Sequence, residues 1–302
     1  MFRRILTALA LACVAGAAGA QPAGGPVVEI GDVARFYEIY DAAGGKPTAE
    51  QLQAYLDGGS DGLKTLARVR RVTGQRIADN IAAQPAVYED ARRCAAVLPA
   101  ARKRLQKALT RLAGLYPQAR FPAVTVAVGR GRPVAVGSPV TGVQVGLEAL
   151  CATEVLNPDI EDRVVYVLAH EFAHVQQAPS LTEKETPTVL EASLIEGAAE
   201  FVAEQTAGKI AYVYLPSLAA GRELEIETAF LADIDKTDLS AWLYNTAPGK
   251  PGDLGYWVGY RIAKAYYQGA KDKRRAFREI LEMSDAKAFL AASGWRPGMK
   301  LD

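Results

Sequence analysis

The sequence predicts an α+β fold, mostly helical, with one small β-sheet. Three observations support this. Long stretches carry apolar residues at helical spacing between recognisable caps. Two short valine-rich runs are separated by a glycine-containing stretch. Half of the 302 residues are hydrophobic and the net charge is +1, a globular composition without low-complexity tracts or repeats.

In chain order, Phe2-Arg3-Arg4 followed by apolar Ile5 to Ala17 and small Ala18-Gly19-Ala20 reads as a cleavable secretory signal over residues 1–20. Cys13 raises a lipoprotein alternative, but Ala10-Leu11-Ala12 before it fits a lipid-modification site poorly. Residues 21–302 are expected to form a single unit with a helical N-terminal part over about 30–120. Basic clusters at Arg68 to Arg76, Arg92 to Arg120 and Lys271 to Arg278 alternate with apolar residues. They read as solvated helix faces, so nucleic acid is not an expected partner. The expected strands are Ala123 to Val128 and Val140 to Leu147, separated by Gly129, Gly131 and Gly137. Cys94 and Cys151 remain after cleavage; they either pair in an oxidising compartment or stay as buried thiols. No later run is long and apolar enough for a membrane span, and Trp242 and Trp295 are expected to be core or interface anchors.

The chain's two histidines lie in one pentapeptide, His170-Glu171-Phe172-Ala173-His174. Residues four apart share a helix face, so both imidazoles can meet one ion. Glu171, about 100° around the helix, can reach a water on that ion as general base. The expected helix starts at Asn157 and Pro158, with Asp159, Glu161 and Asp162 favouring its positive end, and closes near Ala178 and Pro179. This H-E-x-x-H pattern points to Zn²⁺.

A catalytic zinc usually takes three protein ligands, and no third histidine exists, so a carboxylate is expected. A second helix, read from Thr186 and Pro187 to Ala207 with Gly208 as its stop, carries Glu196 and Glu200 on one face. Glu196 is assigned as third ligand and Glu200 as the acceptor orienting a histidine ring, although the swapped assignment fits the same spacing. Gly197, Ala198 and Ala199 are expected to let this helix approach the first. Glu191 and Glu204 read as solvated surface charges. Further on, Gly252-Asp253-Leu254-Gly255-Tyr256-Trp257-Val258-Gly259-Tyr260 reads as a turn opening a helix towards Tyr267. One of Tyr256 and Tyr260 would offer a hydroxyl to a developing oxyanion; the other reading is that both pack in the core.

With these residues in place, the sequence resembles the glutamate-zincin metallopeptidases. It is more closely similar to the family of predicted zinc-dependent proteases related to gliding-motility lipoproteins. The matching segments are Tyr40-Asp41, Tyr116-Pro117, Gly146-Leu147-Glu148, His170 to Gln177, Glu196 to Phe201 and Gly255-Tyr256-x-x-Gly259-Tyr260. The resemblance implies a zincin-like fold with its sheet beside the metal helix, an edge strand able to pair with a peptide, and Tyr260 as the catalytic hydroxyl. The implied protein is a periplasmic or secreted zinc metallopeptidase acting on a peptide or protein substrate. A zinc-binding envelope assembly or adaptor protein without turnover, and a zinc hydrolase of a non-peptide amide or ester, are the alternatives. The sequence does not choose endo- or exo-cleavage or the oligomeric state.

Overall fold

The computed structural model describes residues 27–247 and 249–301; the expected signal over residues 1–20 lies outside them. β1 (Val28–Glu29) leads into α1 (Gly31–Ala42), α2 (Ala49–Asp57), α3 (Asp61–Arg70), α4 (Gly74–Ala83) and the long α5 (Pro85–Leu115). Thr48, Ser60 and Thr73 cap α2, α3 and α4 by accepting a backbone N–H in the first turn, which satisfies groups that a helix start leaves unpaired. Phe36, Tyr40, Tyr55 and Tyr88 pack their rings together between these helices.

The sheet follows as β2 (Val124–Ala127), β3 (Ala135–Ser138) and β4 (Gly142–Gly146). Its order is β1-β2-β4-β3, with β1, β2 and β4 parallel and β3 antiparallel to β4. The two valine-rich runs became β2 and β4. The intervening Ala135-Val136-Gly137-Ser138 gave no strand signal, because four residues with a glycine do not establish a period; pairing with β4 makes it a strand.

The remaining elements are α6 (Leu147–Ala152), α7 (Ile160–Gln176), α8 (Pro179–Thr182), α9 (Val189–Ala207), α10 (Leu215–Ala219), α11 (Glu223–Asp233), α12 (Leu254–Gly269), α13 (Lys273–Leu281) and α14 (Ala286–Ser293). Both metal-site helices start later than expected. Asp159, not Asn157, caps α7, accepting from Asp162 N at 2.8 Å, while Asn157 Oδ1 accepts from Asp159 N and shapes the preceding turn. α9 starts at Thr188, not Thr186, through a capping box in which Glu191 accepts from Thr188 N at 2.8 Å. Glu191 is therefore a cap, further held by Lys184, and not a free surface charge. Gly208, at φ +102°, ends α9 in the left-handed conformation that glycine adopts without strain.

Two contacts fix how these helices sit. A Cβ on Gly197 would lie 2.1 Å from Gly259 C, and one on Gly259 would lie 1.7 Å from Ser193 O. Thus Gly197 brings α9 against α12, whereas the sequence reading assigned this small residue to the contact with α7. Arg163 on α7 is fully buried and donates to the carbonyls of Leu150, Cys151 and Asn157, tying α6 to α7. A Cys94–Cys151 disulfide joins α5 to α6. Trp242 and Trp295 are buried as expected. One hydrophobic cluster of buried side chains runs from Val33 to Trp295, and among the described residues no helix is long and apolar enough to cross a membrane.

Candidate metal centre

α7 is buried along almost its whole length and places His170 and His174 one turn apart at the floor of a cleft of about 580 Å³. α9 crosses beside it and presents Glu196. His170 Nε2 lies 3.0 Å from His174 Nε2 and 3.2 Å from Glu196 Oε2; His174 Nε2 lies 3.3 Å from Glu196 Oε2. Tetrahedral zinc with bonds of about 2.0–2.1 Å spaces its donor atoms about 3.3 Å apart. Two imidazoles and one carboxylate at this spacing fit zinc in donor type and in size, and together they could hold the ion.

The outer atoms of these ligands are also occupied. His170 Nδ1 lies 2.8 Å from Glu200 Oε1, close although poorly aligned for a hydrogen bond, and Glu200 Oε2 accepts from Ala211 N at 2.7 Å. His174 Nδ1 meets Gln177 Oε1 at 2.7 Å, and Gln177 Nε2 donates to Ile195 O on α9. Such partners fix ring orientation and leave Nε2 for the metal. Glu196 thus takes the position facing both histidines and Glu200 the position behind His170. Gln177 lies three residues after His174, so its proximity was readable; its role was not.

Glu171 lines the cleft beside the ligands. Its carboxylate accepts a hydrogen bond from Gly137 N on β3. A Cβ at Gly137 would come 2.0 Å from Glu171 O, so β3 lies directly on α7 only because residue 137 has no side chain.

The tyrosines differ from the sequence reading. Tyr260 is not at the cleft: its hydroxyl donates to Glu204 at 2.8 Å and receives from Lys264 at 3.1 Å. Tyr256 and Tyr260 do share a face of α12, but one helical turn carries Tyr260 past the metal level to that of Glu204. Glu204 is consequently engaged and not a freely solvated charge. Tyr256 lines the cleft, with its ring stacked at 6.2 Å from that of His170. Tyr244, which had no sequence signal, donates its hydroxyl to Glu196 Oε1 at 2.7 Å. It sits at φ +56° on the loop before α12. That loop is closed by Asp253, whose carboxylate accepts from Asn245 N and whose own N–H donates to Asn245 Oδ1. A bulky residue in left-handed backbone is strained, and such strain gathers at functional sites.

Charge at the centre is set by competition between burial and neighbours. Burial opposes a proton on either histidine, yet Glu196 and Glu200 raise His170 well above the usual imidazole range, and Glu196 raises His174. Burial would raise Glu196, but His174 and His170 outweigh it and hold that carboxyl well below the usual range. Burial raises Glu171, with His174 and His170 pulling the other way. The point where the donor atoms meet therefore favours positive charge, as a divalent cation requires.

Glu148 has a different place. It is fully buried and accepts from Gly129 N at 2.9 Å and Gly131 N at 2.8 Å, holding the loop after β2.

Two histidines one turn apart, a glutamate from the next helix and a second carboxylate lining the same cleft define the class: a candidate zinc hydrolase centre. The family model for predicted Zn-dependent protease (DUF2268) matches residues 137–290, and the chain belongs to that family. No curated protein and no solved structure matches the chain.

Proposed function

We propose that this protein is a zinc-dependent peptidase acting outside the cytoplasm. The observation that carries the reading is the convergence of His170, His174 and Glu196 beside the Glu171 carboxylate in an open cleft. A purely structural zinc normally fills its fourth position with protein and has no use for an adjacent carboxylate. His170, His174 and Glu196 would hold the ion, which when bound supplies Lewis acidity towards water and a carbonyl.

The chain's own residues then have distinct tasks. Glu171 takes a proton from the attacking water as its oxygen bonds to the carbonyl carbon, and passes it to the departing amine as the C–N bond breaks. Gly137 N–H keeps that carboxylate aimed into the cleft. Glu200 and Gln177 hold the imidazole rings, and Tyr244 holds Glu196 by its second oxygen. Tyr244 and Tyr256 bring phenols to the cleft in the role first sought at Tyr260. β3 pairs with β4 alone among the described strands and lines the cleft, so its outer edge can receive an extended peptide. The Cys94–Cys151 disulfide and the expected signal over residues 1–20 support the periplasm or the exterior as the place of action.

The test is digestion of an unbiased peptide library by the zinc-loaded chain beside a Glu171→Ala variant shown to hold equal zinc. Cleavage by the first and not the second is expected, and the cut positions give endo- or exo-action. Intact peptides in both would overturn the peptidase reading and favour an envelope adaptor or a hydrolase of non-peptide amides or esters.

A further inference from the structure

A group of four arginines lies at the end of the cleft where β3 begins. Arg70, the last residue of α3, lines the metal cleft together with Pro133, Val134 and Ala135. One residue before Pro133, Arg132 lines an adjoining recess of about 410 Å³ with Arg76 and Arg130. The two spaces are thus separated by little more than the segment from Arg130 to Pro133.

These cations lack a matching set of anions. Burial lowers the pKa of Arg130, and the charges of Arg132, Arg76 and Arg70 lower it further. Nε of Arg70 and Nε of Arg130 are buried and, among the described residues, have no hydrogen-bond partner. The remaining guanidinium contacts go to backbone: Arg130 Nη2 donates to Arg70 O at 3.1 Å and Arg76 Nη1 to Arg71 O at 2.7 Å. Asp79, the acidic residue lining the recess, accepts from Gln75 at 2.8 Å. Gathering four like charges around a single carboxylate is unfavourable, and a further anion arriving in the recess would relieve it. All four arginines precede the family match at residues 137–290, so this feature belongs to the part of the chain that the match does not cover.

We propose that Arg70, Arg76, Arg130 and Arg132 form a subsite for a carboxylate of the substrate, selecting acidic peptides for the neighbouring metal centre. The inference rests on the peptidase reading for its substrate class. At about 3.3 Å per residue, the five steps from Arg132 to Gly137 span at most about 16 Å. A peptide along β3 therefore places its carboxylate within about five residues of the bond at Glu171. The carboxylate can come from an acidic side chain or from the peptide's own C-terminus.

The test is binding, read by fluorescence anisotropy on the zinc-loaded Glu171→Gln chain so that turnover does not interfere. Labelled peptides with blocked ends carry either Glu or Gln at each position in turn; a second pair has a free or an amidated C-terminus. The expected result is about tenfold or tighter binding of the carboxylate member of one pair, as suits a charge-assisted hydrogen bond. Combined Arg70→Gln and Arg132→Gln substitution should abolish that preference. Combined Lys103→Gln and Lys107→Gln, which removes the same two charges at exposed positions of α5, should leave it intact. A preference confined to the Glu and Gln pair assigns an acidic side chain, and one confined to the free C-terminus assigns the terminal carboxylate. Equal binding within both pairs, no binding at all, or a preference that survives the double arginine substitution overturns the subsite. The peptidase reading fails separately: acidic peptides that bind preferentially to the wild-type chain but are never cut would leave the subsite standing alone.

Discussion

Glu148 and Glu196 are both buried glutamates, one at the start of α6 and the other within α9, yet their environments push them in opposite directions. Glu148 faces two backbone N–H groups inside the N-terminal half; burial dominates and its pKa rises. Glu196 faces two imidazoles across a cleft, and those outweigh burial so that its pKa falls. A carboxylate whose two oxygens are satisfied by amides of one loop closes structure. One whose oxygen converges with other donors at a single open point is available for chemistry. The same contrast separates the aromatic packing around Phe36 and Tyr88 from the titratable floor formed by α7 and α9.

The strongest way to test that contrast is at Glu171. Replacing it with Gln should lower turnover by about 10³-fold, the scale of a lost general base, with zinc content by metal analysis unchanged. Retained turnover would remove the chemical role from this carboxylate. The next largest effect is expected away from the site, at Gly197→Ala, whose Cβ would lie 2.1 Å from Gly259 C and Tyr260 N. Separating two helices at backbone contact should cost about 3 kcal/mol in urea unfolding; a loss below about 1 kcal/mol would mean the crossing relaxes easily.

A direct comparison of the two regions pairs Glu148→Ala with Glu200→Gln. The first leaves two buried N–H donors unpaired and should cost about 2 kcal/mol of stability while the folded fraction keeps its zinc affinity. The second should weaken zinc by about 10- to 100-fold in chelator competition with a smaller change in unfolding. If both variants altered the same observable, the division between structural and chemical carboxylates would fall.

The smallest expected effect is a pH dependence. Folding raises the Glu148 pKa above its ordinary 4.5, so the folded state holds that proton more tightly. The resulting stabilisation is complete below about 4.5 and is lost as pH rises through the folded pKa. Glu148→Gln cannot ionise, so wild-type stability relative to this variant should decline as pH rises above about 4.5 in thermal unfolding. A constant difference would show that the carboxyl titrates normally.

Much of the site was legible because its parts are local. A spacing of four residues on a helix is a geometric statement, so His170 with His174, and Glu196 with Glu200, could be placed on common faces before any tertiary contact was known. Caps were less secure: Asn157 and Thr186 looked suitable, but Asp159 and Thr188 hold the helix starts through first-turn N–H bonds, and competing polar residues within three positions look alike in sequence. The placement of Tyr260 was hidden for a longer-range reason. Its face of α12 was readable, but the level at which α12 crosses the metal was not, because Gly197 and Gly259 set it by direct backbone contact.

The helical class, the two valine strands and the shared helix faces of His170 with His174 and of Glu196 with Glu200 were readable from the sequence, since each follows from periodicity or fixed spacing along one segment. That Glu196 meets both imidazoles, that Gly137 holds Glu171, that Tyr244 reaches Glu196 and that four arginines gather near the start of β3 emerges from the folded chain alone. These contacts join residues from different elements, and the distance between such residues depends on packing across the whole core, which no local pattern records.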